Sequence, residues 1–263
     1  MGYRWACCIA AVLVLSLRCL SAPAAPLAPT ADELSRASFV LQAPPALSLS
    51  ATEWLFSDVR VLGTFGGGRA LPRHIVGWWT VEPPDARTWQ FAPDFPPAPK
   101  NETLLRAGRT VVLLADQDFH LLAVYPVGPD QYLGGLGMEQ FEERVWDARR
   151  VRQIAEDFVK ALATGNWEDA RACLAKSLRD ELDSKESPKA YFEGKGLLQV
   201  AAVHPAITVA SLESDSAEVW LTDGRAVAVP LPKYVLRFTP TGRPGKGPMR
   251  GWEIASIGDA AVR

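Results

Sequence analysis

Apolar residues recur every third or fourth position between Met138 and Ala163, which is the pattern of an amphipathic helix. The repeating positions are Phe141, Val145, Ala148, Val151, Ala155, Phe158, Val159 and Leu162. Gly165 can end this helix in a left-handed conformation, and Asn166 can cap the next one. A second amphipathic run extends from Trp167 to Leu182. The pattern therefore predicts two helices hinged at Gly165 and Asn166.

The charged side of the first helix has its own spacing. Arg152, Glu156 and Lys160 stand one helical turn apart, so their side chains form a ladder of alternating sign. Such a ladder is typical of a helix flank that faces solvent.

Strand-like segments dominate the chain after Tyr191. They read AITVASL, SAEVWLT, AVAVPLPKYVLRFTP and RGWEIASIG, and the Asp223-Gly224 pair indicates a hairpin turn between the second and the third. Helices followed by antiparallel strands predict an α+β domain over residues 138–263, with the helices covering one face of the sheet.

Residues 51–137 have a different pattern, which predicts a β-rich domain built as a small barrel or sandwich. HIVGWWTVE alternates, and two apolar runs flank Asp116-Gln117-Asp118 as in a hairpin. Residues 25–50 are rich in Ala, Pro, Ser and Leu and form a predicted leader or linker. Within them Thr30 and Glu33 have the spacing of a capping box, so a short helix is expected near Ala31 to Ser38.

The amino-terminal residues have the pattern of a secretory signal peptide. Arg4 is followed by an apolar run from Ala6 to Leu17 and then by small residues ending at Ala24. The run is too short to span a bilayer, so residues 1–24 are predicted to be removed and the mature chain to have no membrane span. Arg18 precedes Cys19 where a lipidating peptidase requires a small residue, and cleavage near Ala24 is therefore favoured over a lipid anchor. The expected location is periplasmic or extracellular.

Composition narrows the function further. The chain has 28 basic and 30 acidic residues, a formal net charge of −2, which argues against a nucleic-acid partner. Cleavage would leave Cys173 as the one cysteine, so no internal disulfide is predicted. Cys173 lies among apolar residues, as a small buried side chain does.

The second half resembles the nuclear-transport-factor and ketosteroid-isomerase type of cone fold. The likeness rests on AEDFVKALATGNWEDARACLA, the strand meander after it and the closing GWEIASIG, in which Trp252 and Ile254 stand where many members carry Trp and Ile. It covers about residues 148–259 and none of the first half. The resemblance implies a curved antiparallel sheet wrapped around helices, with an apolar cavity inside.

Enzymes of this group use acids, Tyr or His in the cavity to transfer protons. The inward positions of the first helix here are Val151, Ala155, Phe158 and Leu162, which carry neither a hydroxyl nor an acid. The residues expected to line or fill the cavity are Phe158, Trp167, Tyr191, His204, Trp220 and Tyr234. No catalytic residue, cofactor or metal site is predicted, because His74, His120 and His204 lie far apart in sequence and the glycine-rich segments 66–69 and 242–248 lack the phosphate-loop spacing.

The leading interpretation is an exported, noncatalytic two-domain protein that binds a partner protein or a small apolar ligand at the cell envelope. Trp78 and Trp79 are the expected partner-binding residues, because neighbours on a regular strand point to opposite faces and one of them is left outside the core. A homodimer is also allowed, since cone folds often pair through the outer sheet face. The alternative is an isomerase, dehydratase or hydrolase that uses His204, Tyr191 or Tyr234 in the cavity.

Overall fold

The protein is an α+β structure with two four-stranded antiparallel sheets and several helices. The computed structural model describes residues 28–45, 47–48, 54–56, 60–65, 75–76, 100–118, 120–127, 137–222, 232–241 and 251–259. The α-helices in these ranges are α1 (Ala31–Arg36), α2 (Met138–Thr164), α3 (Trp167–Ala172), α4 (Lys176–Asp183), α5 (Pro188–Gly194) and α6 (Leu197–Ala202). None of them is both long and apolar enough to cross a membrane.

The first sheet contains the predicted hairpin. Its strands are β1 (Phe39–Ala43), β4 (Arg60–Thr64), β6 (Val111–Ala115) and β7 (Leu121–Pro126), arranged in the order β4-β1-β6-β7. All five residues of β6 are buried, because its two faces pack against different groups. Val112 and Leu114 join the main core, whereas Val111 and Leu113 pack with Leu105 of a 3₁₀ helix (Glu102–Ala107). Three further short strands, β2 (Leu47–Ser48), β3 (Trp54–Phe56) and β5 (Ile75–Val76), form a separate small sheet.

The second sheet is the meander predicted after the helices. Its strands β8 (Ala206–Leu212), β9 (Ala217–Thr222), β10 (Pro232–Thr241) and β11 (Gly251–Asp259) pair with their sequence neighbours. The register shifts between Val209 and Ser211 in β8 and between Arg237 and Phe238 in β10. An extra residue at such a point bends a strand and increases its twist. The Asp223-Gly224 turn lies outside the described residues.

The apolar stripe of α2 forms the centre of the main core. Phe141, Val145, Ala148, Val151 and Phe158 are all completely buried there, as the sequence predicts. The same core includes α1 and the first sheet on one side and the second sheet on the other, so it runs through both of the predicted domains.

The hinge after α2 has the predicted geometry. Gly165 has a φ of 70°, and its N–H and that of Asn166 donate to carbonyls in the last turn of the helix. The Asn166 side chain then accepts a hydrogen bond from the backbone N–H of Asp169 and so caps α3. Positive φ at glycine and a side-chain cap are both local devices, which is why the sequence reveals them.

The single amphipathic run expected from Trp167 to Leu182 is wrong, because the structure divides it into α3 and α4. Leu174 lies between them in an isolated parallel bridge with Ile254 of β11. The N–H of Ile254 donates to the Cys173 carbonyl at 2.9 Å, and the N–H of Ala175 donates to the Ile254 carbonyl at 2.8 Å. The final strand thus takes backbone groups that a continuous helix would have used itself.

The residues expected to be a leader or linker contribute structure to the core. Thr30 and Glu33 form the predicted capping box of α1. The segment then continues as β1, which pairs with both β4 and β6 and is an inner strand of the first sheet. The strand was missed because β1 reads as FVLQA, a short run without clear alternation, and both of its faces are buried.

We predict that Phe158→Ala lowers the free energy of unfolding by about 3–5 kcal/mol, because it leaves a cavity where a fully buried ring packs. Lys160→Ala is the matched control on the same helix, since Lys160 is exposed and its loss should change stability by less than about 0.5 kcal/mol. Urea unfolding followed by circular dichroism measures both. Equal effects of the two variants would contradict the assignment of the stripe.

Candidate functional site

Three of the residues expected in the cavity meet around one aromatic ring. The ring of Phe192 packs edge-to-face on Phe158 with centroids 5.9 Å apart, and it stacks on Trp167 with centroids 6.1 Å apart. Tyr191 meets the same ring edge-to-face at 5.1 Å. Phe158 and Phe192 are completely buried, so these side chains fill the space between the helices with packed aromatic surface.

A groove opens beside this cluster, at the surface where α4 and α5 face each other. It has a volume of about 440 Å³ and is lined by Glu181, Lys185, Glu186, Ala190, Tyr191, Gly194 and Lys195. Tyr191 and the small residues Ala190 and Gly194 form its apolar lining, and the other lining residues are charged. The groove is the candidate functional site.

The polar centre of the groove is a contact between three side chains. The Tyr191 hydroxyl donates to Glu181 Oε2 at 3.2 Å, and the other oxygen of Glu181 lies 3.3 Å from Lys195 Nζ. The Lys195 ammonium also lies 4.9 Å from the centroid of the Tyr191 ring. Glu181 thus accepts from a phenol and an ammonium at once, and Lys195 is shared between a carboxylate and an aromatic face.

Burial raises the pKa of Tyr191, and the negative charge of Glu181 and the hydrogen bond to it raise that pKa further. The phenol therefore keeps its proton well above neutral pH, and that proton is committed to Glu181. A general base needs a pKa near the working pH, so Tyr191 in this arrangement is a binding group and does not supply a base.

Tyr234 lies on β10 and contacts the backbone that follows α5. Its hydroxyl donates to the Lys195 carbonyl at 2.7 Å, which fixes the backbone between α5 and α6. Gly196 follows, with a φ of 70°, and a Cβ placed on it would lie 2.5 Å from the Tyr234 hydroxyl oxygen. Tyr234 thus holds the loop that carries Lys195, and its hydroxyl is engaged with the backbone.

The other two residues expected in the cavity lie elsewhere. His204 is exposed and has a φ of 49°, in the turn between the end of α6 and Pro205. Trp220 is half-buried on the sheet face opposite Ala217, Val219 and Leu221, and its indole N–H donates to Glu218 Oε1 at 2.7 Å. Period-two alternation in β9 explains this position, since Trp220 shares a face with Glu218. Trp78 and Trp79 lie outside the described residues.

Cys173 has the environment of a structural thiol. Its Sγ lies 3.4 Å from the Asp169 carbonyl oxygen, and burial raises the pKa of the thiol to about 11, with added effects of Asp157 and Asp169. A nucleophilic cysteine requires the opposite shift.

One group of metal-ligand types was missed by the sequence reasoning. Ligand atoms of Asp116, Asp118 and His120 all lie within 4.8 Å of one another on the hairpin between β6 and β7. Asp116 Oδ1 already accepts from the backbone N–H groups of Asp118 and His120, each at 2.9 Å. These bonds are the ordinary closure of an Asx turn, and they account for the position of the Asp116 carboxylate.

Glu181 and Lys195 were also missed. Each is an ordinary charged residue of an amphipathic helix or its end. The packing of α5 against α4 brings Glu181 to Tyr191, and the local sequence does not reveal that contact. Lys195 follows Tyr191 by four residues at the end of the same helix, so the i, i+4 spacing was a signal that could have found it.

Comparisons with protein-family models, with curated proteins and with solved structures found no match.

We predict that Gly196→Ala destabilises the groove, since an L side chain at positive φ costs about 1–2 kcal/mol and its Cβ would meet the Tyr234 hydroxyl. Gly194→Ala is the control, because that position has no atom within 4 Å of an added Cβ and no positive φ. Thermal unfolding should show a lower midpoint for Gly196→Ala and an unchanged or higher one for Gly194→Ala. A midpoint as high for Gly196→Ala as for the control would show that the Tyr234 contact is not constraining.

Proposed function

We propose that this chain is an exported, noncatalytic binding protein whose ligand or partner contacts the groove between α4 and α5. The observation that carries the proposal is the packed aromatic cluster around Phe192. Because these rings fill the space between the helices, a ligand would bind at the surface beside Tyr191. Export is proposed from the sequence of residues 1–24.

We propose further that residues 148–259 adopt a cone-type fold and the first half a barrel or sandwich. Three features support the cone. The long α2 packs on β8, β9 and β11, the meander contains three register shifts that bend its strands, and Leu174 bridges to the final strand. The first sheet supports a layered first half, since its two faces pack against separate apolar clusters.

The noncatalytic role is supported by how the reactive side chains are used. The hydroxyls of Tyr191 and Tyr234 donate to Glu181 and to the Lys195 carbonyl, and the Cys173 thiol has a raised pKa. The enzyme alternative would use His204, Tyr191 or Tyr234, and of these His204 is exposed while both phenols are engaged in hydrogen bonds.

The groove fits a ligand or a partner's side chain with an apolar body and a polar end. Ala190, Gly194 and the small exposed part of Tyr191 offer apolar surface, while Lys185 and Glu186 can pair with polar groups. An aromatic wall with a few polar groups around it is the usual composition of a small-molecule site.

Export is tested by the mass of the protein recovered from the periplasm or medium of a bacterial host. We expect the recovered chain to begin after Ala24, with the leader absent. A full-length chain in the cytoplasmic fraction would contradict export, and a lipid mass on Cys19 would replace free secretion with anchoring.

Binding is tested by native mass spectrometry of the protein purified from the envelope fraction, which reports a bound molecule and the number of copies together. We expect one adduct of defined mass that is lost in Tyr191→Ala, because the variant removes the apolar wall. Val203→Ala is the matched control, since Val203 is 54% exposed and is not among the residues that line the groove. An adduct retained by Tyr191→Ala, or no adduct at all, would overturn the groove as the binding site.

Trp78 and Trp79 remain the proposed protein contacts of the first half. A partner recovered from the envelope fraction by the unmodified chain should be lost with Trp78→Ala or with Trp79→Ala, because an exposed aromatic ring is a common anchor at an interface. Equal recovery with both variants would remove these residues from the proposal.

A further inference from the structure

Helix α1 connects the two four-stranded sheets and the long helix through a single turn of chain. Its residues Asp32 and Glu33 are adjacent in sequence but bind different elements. Helix α1 is only six residues long, and so short a helix is marginal in water without tertiary contacts. The helix is therefore held in place by the contacts of these two carboxylates and of the apolar residues beside them.

Glu33 ties α1 to the first sheet. Its Oε2 accepts a hydrogen bond of 2.6 Å from the hydroxyl of Tyr125, a completely buried residue of β7. Its Oε1 lies 2.9 Å from Lys100 Nζ, and its carboxylate also accepts from the Thr30 N–H at 2.7 Å. The ionised carboxylate accepts from all three groups, whereas protonation removes the charge that pairs with Lys100 and turns one of the two oxygens into a donor.

Asp32 ties the same turn to the second sheet and to α2. Its Oδ1 accepts from Arg152 Nη1 at 3.3 Å and from the backbone N–H of Val209 at 3.3 Å. Val209 belongs to β8, an edge strand whose other side pairs with β9. The Asp32 carboxylate thus satisfies an edge N–H that is otherwise available to another strand.

Helix α1 and its end also make contacts that do not involve a carboxylate. Leu34 and Ala37 are buried in the main core, and Arg149 Nη1 donates to the Ala37 carbonyl at 2.6 Å. Burial lowers the pKa of Arg149, although nearby Glu156 opposes that shift, and the guanidinium stays charged at any working pH. Among the contacts that α1 makes in the described part of the chain, only those of its carboxylates lose a charge in acid.

We propose that α1 is a releasable strap, and that neutralising Asp32 and Glu33 detaches it and exposes the edge strand β8 while α2 and the sheets stay folded. Local opening of a segment costs less free energy than global unfolding when the rest of the structure keeps its own partners. Leu34 of α1 and Ala37 at its end are buried in the main core, so release loses this burial as well as the carboxylate ties, while the strands that the ties join keep their own hydrogen-bonded partners.

The direction of the pH dependence follows from Glu33. Burial alone would raise its pKa, but the hydrogen bonds from Tyr125, Thr30 and Lys100 and the charge of Lys100 bring the pKa below its ordinary value of 4.5. A depressed carboxyl pKa contributes stability above the unfolded pKa, and that stability is lost as the pH falls through the folded pKa. The stabilising contribution of Glu33 is therefore lost as the pH falls below 4.5. The charged groups that face α1 are Lys100 on the side of the first sheet and Arg149, Arg152 and Glu156 on α2.

The test is hydrogen–deuterium exchange of the whole chain at neutral pH with the double variant Asp32→Asn, Glu33→Gln, which mimics protonation without acid. We expect peptides covering residues 31–37 and 206–212 to exchange about tenfold faster or more, while peptides from α2 and β1 keep their protection. Unchanged exchange at 206–212 would overturn the strap, and equal acceleration everywhere would overturn local release.

Two variants complete the test. Asp183→Asn is the control for loss of a carboxylate, because Asp183 pairs with Arg171 at the surface and should leave residues 206–212 unaffected. Tyr125→Phe removes the bond that lowers the Glu33 pKa, so acid release of the strap, corrected for intrinsic exchange rates, should move to higher pH. Release at the same pH in Tyr125→Phe and the unmodified chain would contradict the assignment of Glu33 as the acid-sensitive tie.

Discussion

The burial of one helical stripe organises the molecule. Helix α2 places completely buried side chains along most of its length, and every larger element in the described ranges packs directly on it or on something that does. A helix that is apolar on one face and charged on the other has to be covered on the apolar face, and here two sheets and a series of short helices share that task. The position of each later feature follows from which part of the stripe it covers.

The aromatic cluster at the carboxyl end of α2 shows how covering the stripe directs function to the surface. Phe158 is turned inward, and Phe192, Trp167 and Tyr191 close over it. Among these four packed rings, Tyr191 is the one that carries a hydroxyl, and this hydroxyl is directed toward charged neighbours. The groove beside α4 and α5 is therefore a consequence of how the core ends, and its chemistry is that of a phenol already bonded to a carboxylate.

Local signals predicted much of this arrangement. The helical stripe, the left-handed Gly165, the caps at Thr30 and Asn166 and the hairpin at Asp116 each depend on a few neighbouring residues, and each is confirmed. The errors involve partners distant in sequence. Ile254 breaks the run from Trp167 to Leu182, the strand β1 is recognised only by its pairing with β4 and β6, and Glu181 becomes part of a site only when α5 packs on α4. Trp220 was expected in the cavity, yet alternation along β9 sets it beside Glu218 on the other face.

The bridge between Leu174 and Ile254 has a consequence for how the chain acquires its structure. The junction of α3 and α4 obtains its backbone partners from β11, so these helices lack that support until nearly the whole sequence has been synthesised. Contacts between such distant parts of a chain slow folding, because a long loop must close before the contacts can form. The junction of α3 and α4 is therefore among the last parts of this fold to obtain its backbone partners.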